Sequence, residues 1–327
     1  MNIINIGGWY VGNTAILDWM DGFDEIGFVK DDFNIARVEN GVMDIIAEQD
    51  LSKKIKIIKK QKHACYFGFY RVLRMFVGRY TKHLTKKNKL YPYNSTIAFY
   101  RRLHSFLNSY EYLLKTSEAF DEIELCKSWL NAEALSLLEN KNNHSIVYQN
   151  PFFYDETFSG HAKIWPKLFD PYKLIFVHRD PLDQFSDIVN SGDHLLSSWP
   201  RFHGETESMH PADRFLTIAR KLYKARLRMA EEYNSDQLLI FSFEDFLVNH
   251  DKVTPVLKGF LNINSERSFS NKRFIKEKSL KNIGKGLANK EALQLLEGKS
   301  YVLDELNILR KELSALPQSS CFGNGRS

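Results

Sequence analysis

Cysteine is scarce, with three in 327 residues: Cys65, Cys126 and Cys321. Their spacing matches neither a disulfide framework nor a metal-ligand set, so a reducing compartment is the simpler expectation. No apolar run approaches the ~20 residues needed to span a bilayer. No leader segment is visible either, because Met1 runs almost directly into Ile3-Ile4-Asn5-Ile6. These absences lead us to expect a cytoplasmic protein whose membrane contact, if any, is peripheral at the inner face. His194, His203 and His210 fall in a stretch between Gly192 and Pro211 without ligand spacing on one element, so no metal is expected. There is no internal repeat.

The most uneven absence is that of acidic residues. From Leu51 to Tyr110 there is no Asp or Glu, while the same stretch holds 15 lysines and arginines. The net charge is +5, so the remainder of the chain carries −10. Tyr66, Phe67, Phe69, Tyr70, Phe76 and Tyr80 are interleaved with this charge. An anionic partner is therefore expected, preferably a glycan or lipid-linked sugar near a membrane surface. Nucleic acid would satisfy the electrostatics, but no base-reading motif accompanies the block. A solvated helical face is the remaining alternative.

What is present is most informative at Lys173-Leu-Ile-Phe-Val-His-Arg-Asp-Pro-Leu-Asp-Gln-Phe-Ser186. Leu174–Val177 is wholly apolar, as in a strand buried on both faces. Pro181 suits the first turn of a helix and Asp180 can cap it. An arginine thus follows a buried strand, with Ser186 about two helical turns on. Arginine with a hydroxyl suits phosphate recognition, and the ends of such strands are where open α/β sheets bind ligands.

The N-terminus offers a second such place. The strand-like Ile3–Ile6 leads through Gly7-Gly8-Trp9-Tyr10-Val11-Gly12-Asn13-Thr14-Ala15 into an amphipathic run. Strand, glycine-bearing loop and helix start make a phosphate cradle of backbone N–H groups. Gly8, Gly12 and Thr14 approximate the ends of a Walker A motif, but its lysine is absent, which counts against an ordinary ATPase or kinase.

Together the two segments resemble the sulfotransferases that use 3′-phosphoadenosine 5′-phosphosulfate (PAPS), closest in style to bacterial and Golgi-type carbohydrate members. Val11-Gly12-Asn13-Thr14 stands in the place of that family's S-G-T-T loop, which binds the 5′-phosphosulfate. Arg179 and Ser186 stand in the place of its 3′-phosphate readers. Three further segments fit the family's order: Ile146–Pro151, Leu238–Phe246, and Phe260–Ile263 followed by Ser279–Gly286. The resemblance covers residues 1–35 and 145–290. It implies PAPS as co-substrate, with adenosine 3′,5′-bisphosphate as product, and no metal. Gly8, Gly12, Asn13, Thr14, Ala15, Arg179, Ser186, Lys281, Asn282, Lys285 and Gly286 are the implied nucleotide-binding residues.

The chain departs from the family at several points. Tyr10 replaces the basic residue of the first loop, and Gln149-Asn150 stands near the place of the K-T-H lysine and histidine. Ser186 is seven residues after the arginine where many relatives have eight, which turns its helix face by about 100°. The segment Phe28-Val29-Lys30-Asp31-Asp32-Phe33 is similar to the K-E of heparan-type members. That similarity implies Asp31 or Asp32 as the base, with Lys30 in place of the missing loop cation; a polar strand end is the alternative. Glu39 is a further carboxylate candidate, His178 is expected to be structural, and Glu244-Asp245 to cap a helix.

Alternation of short apolar strands with helices predicts a doubly wound α/β protein with a central parallel sheet, and the basic block reads as a helical insertion beside it. The resemblance implies that this is the three-layer fold of P-loop type. Expected strands are 2–6, 25–29, 123–126, 145–149, 173–177 and 237–241. Expected helices are 13–20, 64–84, 96–118, 129–139, 161–168, 182–190, 212–233, 254–261 and a closing 287–316, with a turn at 91–95. One domain is expected over 1–316, its insertion at about 51–119, and a flexible tail at 317–327. The function expected from the resemblance is sulfuryl transfer from PAPS to a hydroxyl or amine of a carbohydrate, such as a bacterial surface glycan or glycolipid. The alternatives are an ATP-dependent P-loop phosphotransferase and a non-catalytic nucleotide- or glycan-binding relative.

Overall fold

A computed structural model describes residues 1–7, 10–28, 41–80, 91–116, 119–137, 145–149, 161, 163–192, 208–264 and 274–319. In chain order the described elements are β1 (Asn2–Gly7), α1 (Asn13–Met20), β2 (Ile26–Phe28), α2 (Val42–Ala47), α3 (Leu51–Tyr80), α4 (Tyr91–Thr116) and α5 (Glu122–Leu137). Then come β3 (Ser145–Gln149), α6 (Trp165–Phe169), β4 (Tyr172–His178), α7 (Pro181–Asn190), α8 (Pro211–Glu232), β5 (Leu238–Ser242), α9 (Phe243–Val248) and α10 (His250–Leu261). The chain closes with α11 (Lys276–Leu280), a 3-10 turn (Lys285–Ala288), α12 (Lys290–Leu295) and α13 (Ser300–Ser314).

Two compact units result: residues 1–28, 142–158 and 171–327 in one, 29–141 and 159–170 in the other. The first is built on a five-stranded, all-parallel sheet in the order β2-β3-β1-β4-β5. Parallel strands need helical crossovers and bury both faces, which accounts for runs such as Leu174-Ile175-Phe176-Val177, buried without alternation. Ile3, Val147, Ile175, Val177, Leu239 and Phe241 face one layer, packing with Ile16 and Met20 of α1, Phe246 of α9 and Leu257 of α10. Helices α7, α8 and α13 belong to the other layer, where Phe185 meets Phe215 at 5.1 Å and α13 reaches His178. The three-layer α/β architecture expected from the sequence is therefore present.

In the second unit α3, α4 and α5 share a core that includes Ile58, Leu103, Leu107, Leu130 and Ala134. Phe106 stacks on Trp129 at 4.5 Å. Several expectations are corrected here. The apolar run 123–126 is not a strand but the start of α5. Asp121 accepts the N–H groups of Ile123 and Glu124, and such capping at an acidic first turn starts a helix. The expected turn at 91–95 is the first turn of α4, which tolerates Pro92 because the first helical N–H groups lack intrahelical acceptors. Helix α3 begins at Leu51 rather than 64.

In the first unit the single closing helix is instead a 3-10 turn and two helices, interrupted near the left-handed Gly298. The start of the expected tail is tied down: the Ile240 N–H donates to Gln318 O at 2.9 Å, and Gln318 Nε2 donates to Ala230 O at 2.8 Å.

His178, at the end of β4, is 1 % exposed. Arg310 Nε donates to its Nδ1 at 3.2 Å, so the ring proton sits on Nε2, beside Ser314 Oγ at 3.4 Å. Burial, then the Arg310 and Arg226 cations, hold its pKa well below 6.5. A histidine neutral in the fold takes up a proton only when unfolded, so its contribution to stability is lost as pH falls below about 6.5. Between pH 7.5 and 5.5 this is on the order of 1 kcal/mol. Urea denaturation should show that His178→Gln lacks this part of the acid sensitivity; an unaltered pH slope would contradict it.

Candidate functional site

The strand order places the site. From β1 the chain crosses to β2 on one side, and from β4 it crosses to β5 on the other. Loops leaving the adjacent C-terminal ends of β1 and β4 therefore diverge, and open α/β sheets bind ligands in that kind of crevice. Gly7 is in register with Val177, so the loop after β1 begins beside the end of β4.

In that loop Tyr10 and Gly12 both have left-handed backbones, with φ of 55° and 88°. A Cβ on Gly12 would lie 2.1 Å from the Phe243 ring, so only glycine allows the loop to lie on α9. Helix α1 has no side-chain cap at Gly12; the Ala15 N–H donates to Gly12 O at 3.0 Å. Asn13 is 6 % exposed, yet neither its Nδ2 nor its Oδ1 has a partner among the described residues, and the same holds for the fully buried amide of Asn5 in β1. Thr14 is exposed and Ala15 half-buried. Gly8 lies outside the described residues. Gly7 rather than Gly8 has the Walker spacing to Gly12, and Asn13 stands where that motif has lysine.

The second segment forms a polar joint. Arg179 is 2 % exposed. Its Nη1 donates to Tyr10 O at 2.9 Å and to Asp187 Oδ2 at 2.6 Å, and its Nη2 donates to Asn282 O. The guanidinium lies 5.0 Å from the Phe243 ring centroid, and Nε has no partner among the described residues. Asp180 caps α7, accepting from the N–H groups of Leu182 and Asp183 at 2.9 and 3.0 Å.

The late basic loop lies along α7. Asp183 accepts the N–H groups of Gly284 and Gly286, both at 2.7 Å. Ser186 is fully buried and its hydroxyl accepts from Asn289 Nδ2 at 2.8 Å. Lys285 pairs with Asp187 and donates to Asn282 Oδ1 at 3.2 Å. A Cβ on Gly286 would lie 2.8 Å from the Leu182 carbonyl oxygen, so the loop backbone touches the helix. Lys281 is exposed. The structure thus brings Gly12, Arg179, Ser186, Asn282, Lys285 and Gly286 into one connected region, in which protein groups hold Arg179 and Ser186. Lys30, Asp31, Asp32 and Glu39 lie outside the described residues.

Sequence reasoning missed Asp183, Asp187, Asn289 and Glu244 as members of this region. Asp245 does share in capping α9, through a reciprocal pair of bonds with Ser242 at 2.9 Å. Glu244 instead accepts the Asp180 N–H at 2.8 Å and pairs with Arg310. Burial raises its pKa, against the pull of Arg310. No local pattern marks such long-range partners; the only available signal was the density of carboxylates after Arg179.

In the second unit the basic block is partly neutralised by carboxylates that follow it. Lys54 pairs with Glu122 at 2.6 Å, Lys62 with Glu111 at 2.8 Å and Arg102 with Glu133 at 2.5 Å. Lys53, Lys56, Lys59 and Lys60 remain exposed on α3.

Among solved structures the chain is similar to the sulfotransferase domain from the curacin biosynthetic pathway, with 14% identity and a TM-score of 0.43 over 83% of this chain and 76% of that one. It is also similar to sulfotransferase STF9 from Mycobacterium avium, with 12% identity and a TM-score of 0.39 over 96% of this chain and 75% of that one. No protein-family model and no curated protein matches it.

Gly12→Ala should reduce unfolding free energy by roughly 2 kcal/mol or more, combining a left-handed alanine with overpacking against Phe243. Gly192→Ala, also at positive φ but with nothing within 4 Å of its Cβ, should cost less. Equal losses for the two in urea denaturation would refute the close packing of loop on ring.

Proposed function

We propose that this chain is a PAPS-dependent sulfotransferase acting on a carbohydrate. The observation that carries the reading is the joint at Arg179. One buried guanidinium bonds the carbonyls of both Tyr10 and Asn282, so two segments distant in sequence, both assigned to anion binding by the resemblance, meet at one joint. A nucleotide phosphorylated at two separate places needs two such segments.

The residues of the first loop fit an anion. The start of α1 has no side-chain cap and presents N–H groups, and the Asn13 amide has donors without partners among the described residues. PAPS would supply an activated sulfuryl group. The chain must then align an acceptor and stabilise charge on the departing oxygen, which is mostly positioning and electrostatics. Asn13, at the position of the Walker lysine, is our candidate donor to that oxygen. Lys30 and one of Asp31 and Asp32 are our candidates for added cation and base. The exposed lysines of α3 suit an anionic glycan or glycolipid acceptor at the 51–110 region, with peripheral contact to an anionic membrane. The missing lysine disfavours an ATP-dependent phosphotransferase.

Calorimetric titration should show binding of adenosine 3′,5′-bisphosphate without magnesium, and weaker binding of ATP with it. Asn13→Ala is the sharper test. A buried amide without partners costs stability, so its removal should leave the thermal midpoint unchanged or raised while weakening bisphosphate binding tenfold or more. Asp31→Asn and Asp32→Asn should be compared for sulfate transfer to a glycan panel. Magnesium-dependent ATP binding without bisphosphate binding would overturn the proposal.

A further inference from the structure

Asp187 has an arrangement that neither capping nor helix formation explains. Its two carboxylate oxygens are divided between two cations: Oδ2 accepts from Arg179 Nη1 at 2.6 Å, and Oδ1 pairs with Lys285 Nζ. The Arg179 side chain is 3 % exposed, whereas those of Asp187 and Lys285 are 19 % and 24 % exposed. The guanidinium therefore forms the floor, with the carboxylate and the ammonium at the solvent boundary. A tetrahedral oxyanion would be held in the same way, one oxygen on a guanidinium N–H and another on an ammonium.

The other acidic group nearby, Asp183, is committed to the N–H groups of Gly284 and Gly286. Asn282 holds the remaining sides, with its carbonyl on Arg179 Nη2 and its Oδ1 on Lys285. Without the Asp187 charge, Arg179 and Lys285 would lose the counter-ion they share, beside a partly exposed position.

We propose that Asp187 is a built-in occupant of an oxyanion site formed by Arg179 and Lys285, and that a ligand phosphate or sulfate must displace its carboxylate to bind there. That the displacing group belongs to a nucleotide rests on the sulfotransferase reading; the occupancy itself does not. The site is then selective by competition. A weakly held anion cannot eject a carboxylate already bonded to both cations, whereas a phosphate held additionally through the rest of its molecule can. Because Asn282 and Lys285 carry the loop over α7, displacement would also loosen that loop's hold on the helix.

The test compares wild type with Asp187→Asn, which keeps the shape and removes the charge. Thermal midpoints are measured against inorganic phosphate, with chloride holding ionic strength constant so that general screening is the same throughout. Wild type should respond little. The variant should begin less stable and regain its midpoint with phosphate, and adenosine 3′,5′-bisphosphate should bind it at least tenfold more tightly than wild type. Adding Lys285→Met to the variant should abolish the phosphate response. If Asp187→Asn responds to phosphate no more than wild type does, or fails to fold even in phosphate, the carboxylate is a structural ion pair and the proposal falls. If the variant gains phosphate binding but adenosine adds nothing to it, the occupancy stands and the nucleotide reading falls.

Discussion

The buried guanidinium of Arg179 is the contact on which the rest of the candidate site depends. It joins the end of β4 to the loop after β1 through Tyr10, to α7 through Asp187, to the late loop through Asn282 and to α9 through the Phe243 ring. Taking a charge out of water is expensive, and such a group is tolerated only where acceptors surround it. Its surroundings supply two carbonyls and a carboxylate. Removing one partner of a buried pair costs about 3–5 kcal/mol, so these four segments are constrained together. The left-handed Tyr10 follows from the same constraint: its carbonyl must turn towards the guanidinium, and Gly12 must let the loop close over Phe243.

Against this nearly saturated joint stand the amides of Asn5 and Asn13, buried and without partners among the described residues. An unsatisfied buried polar group costs about 1–3 kcal/mol, and a fold selected for stability alone would place apolar residues there. The contrast divides the crevice. On the Arg179 side both terminal nitrogens of the guanidinium find acceptors and Nε alone of its nitrogens lacks one among the described residues; on the α1 side whole amides are left available. Local departures from good packing and pairing concentrate where a chain binds something.

Strands were legible where burial on both faces wrote continuous apolar runs, as in Leu174–Val177 and Leu238–Phe241. Helices with strong ends were legible too: Pro181 and Pro211 each start one. The run 123–126 misled because four apolar-rich residues fit a strand or a helix equally well; only the Asp121 cap decides between them. Arg179 and the glycine loop were legible because backbone geometry and charge act locally. Asp183, Asp187, Glu244 and Asn289 were not, since each is defined by a partner 8 to 103 residues away. The seven-residue spacing from Arg179 drew attention to Ser186, yet the next residue, Asp187, is the one that touches the guanidinium. Ser186 turns to Asn289 instead.

The basic block illustrates the same limit in electrostatics. A stretch without a single acidic residue reads as a strongly cationic surface, but charge is neutralised in space rather than along the chain. Glu111, Glu122 and Glu133 all follow the block in sequence and pair back onto Lys62, Lys54 and Arg102. Two of those bases lie on α3, and their partners lie on α4 and α5, so the pairs also fix how the three helices pack. Lys54 shows the difference in role: it is 7 % exposed, and Glu122, its partner, also accepts from the buried Tyr110 hydroxyl at 2.8 Å. Lys53, Lys56, Lys59 and Lys60 are exposed on the same helix. A count of basic residues along the chain therefore overstates the free charge by at least these three pairs, among the described residues.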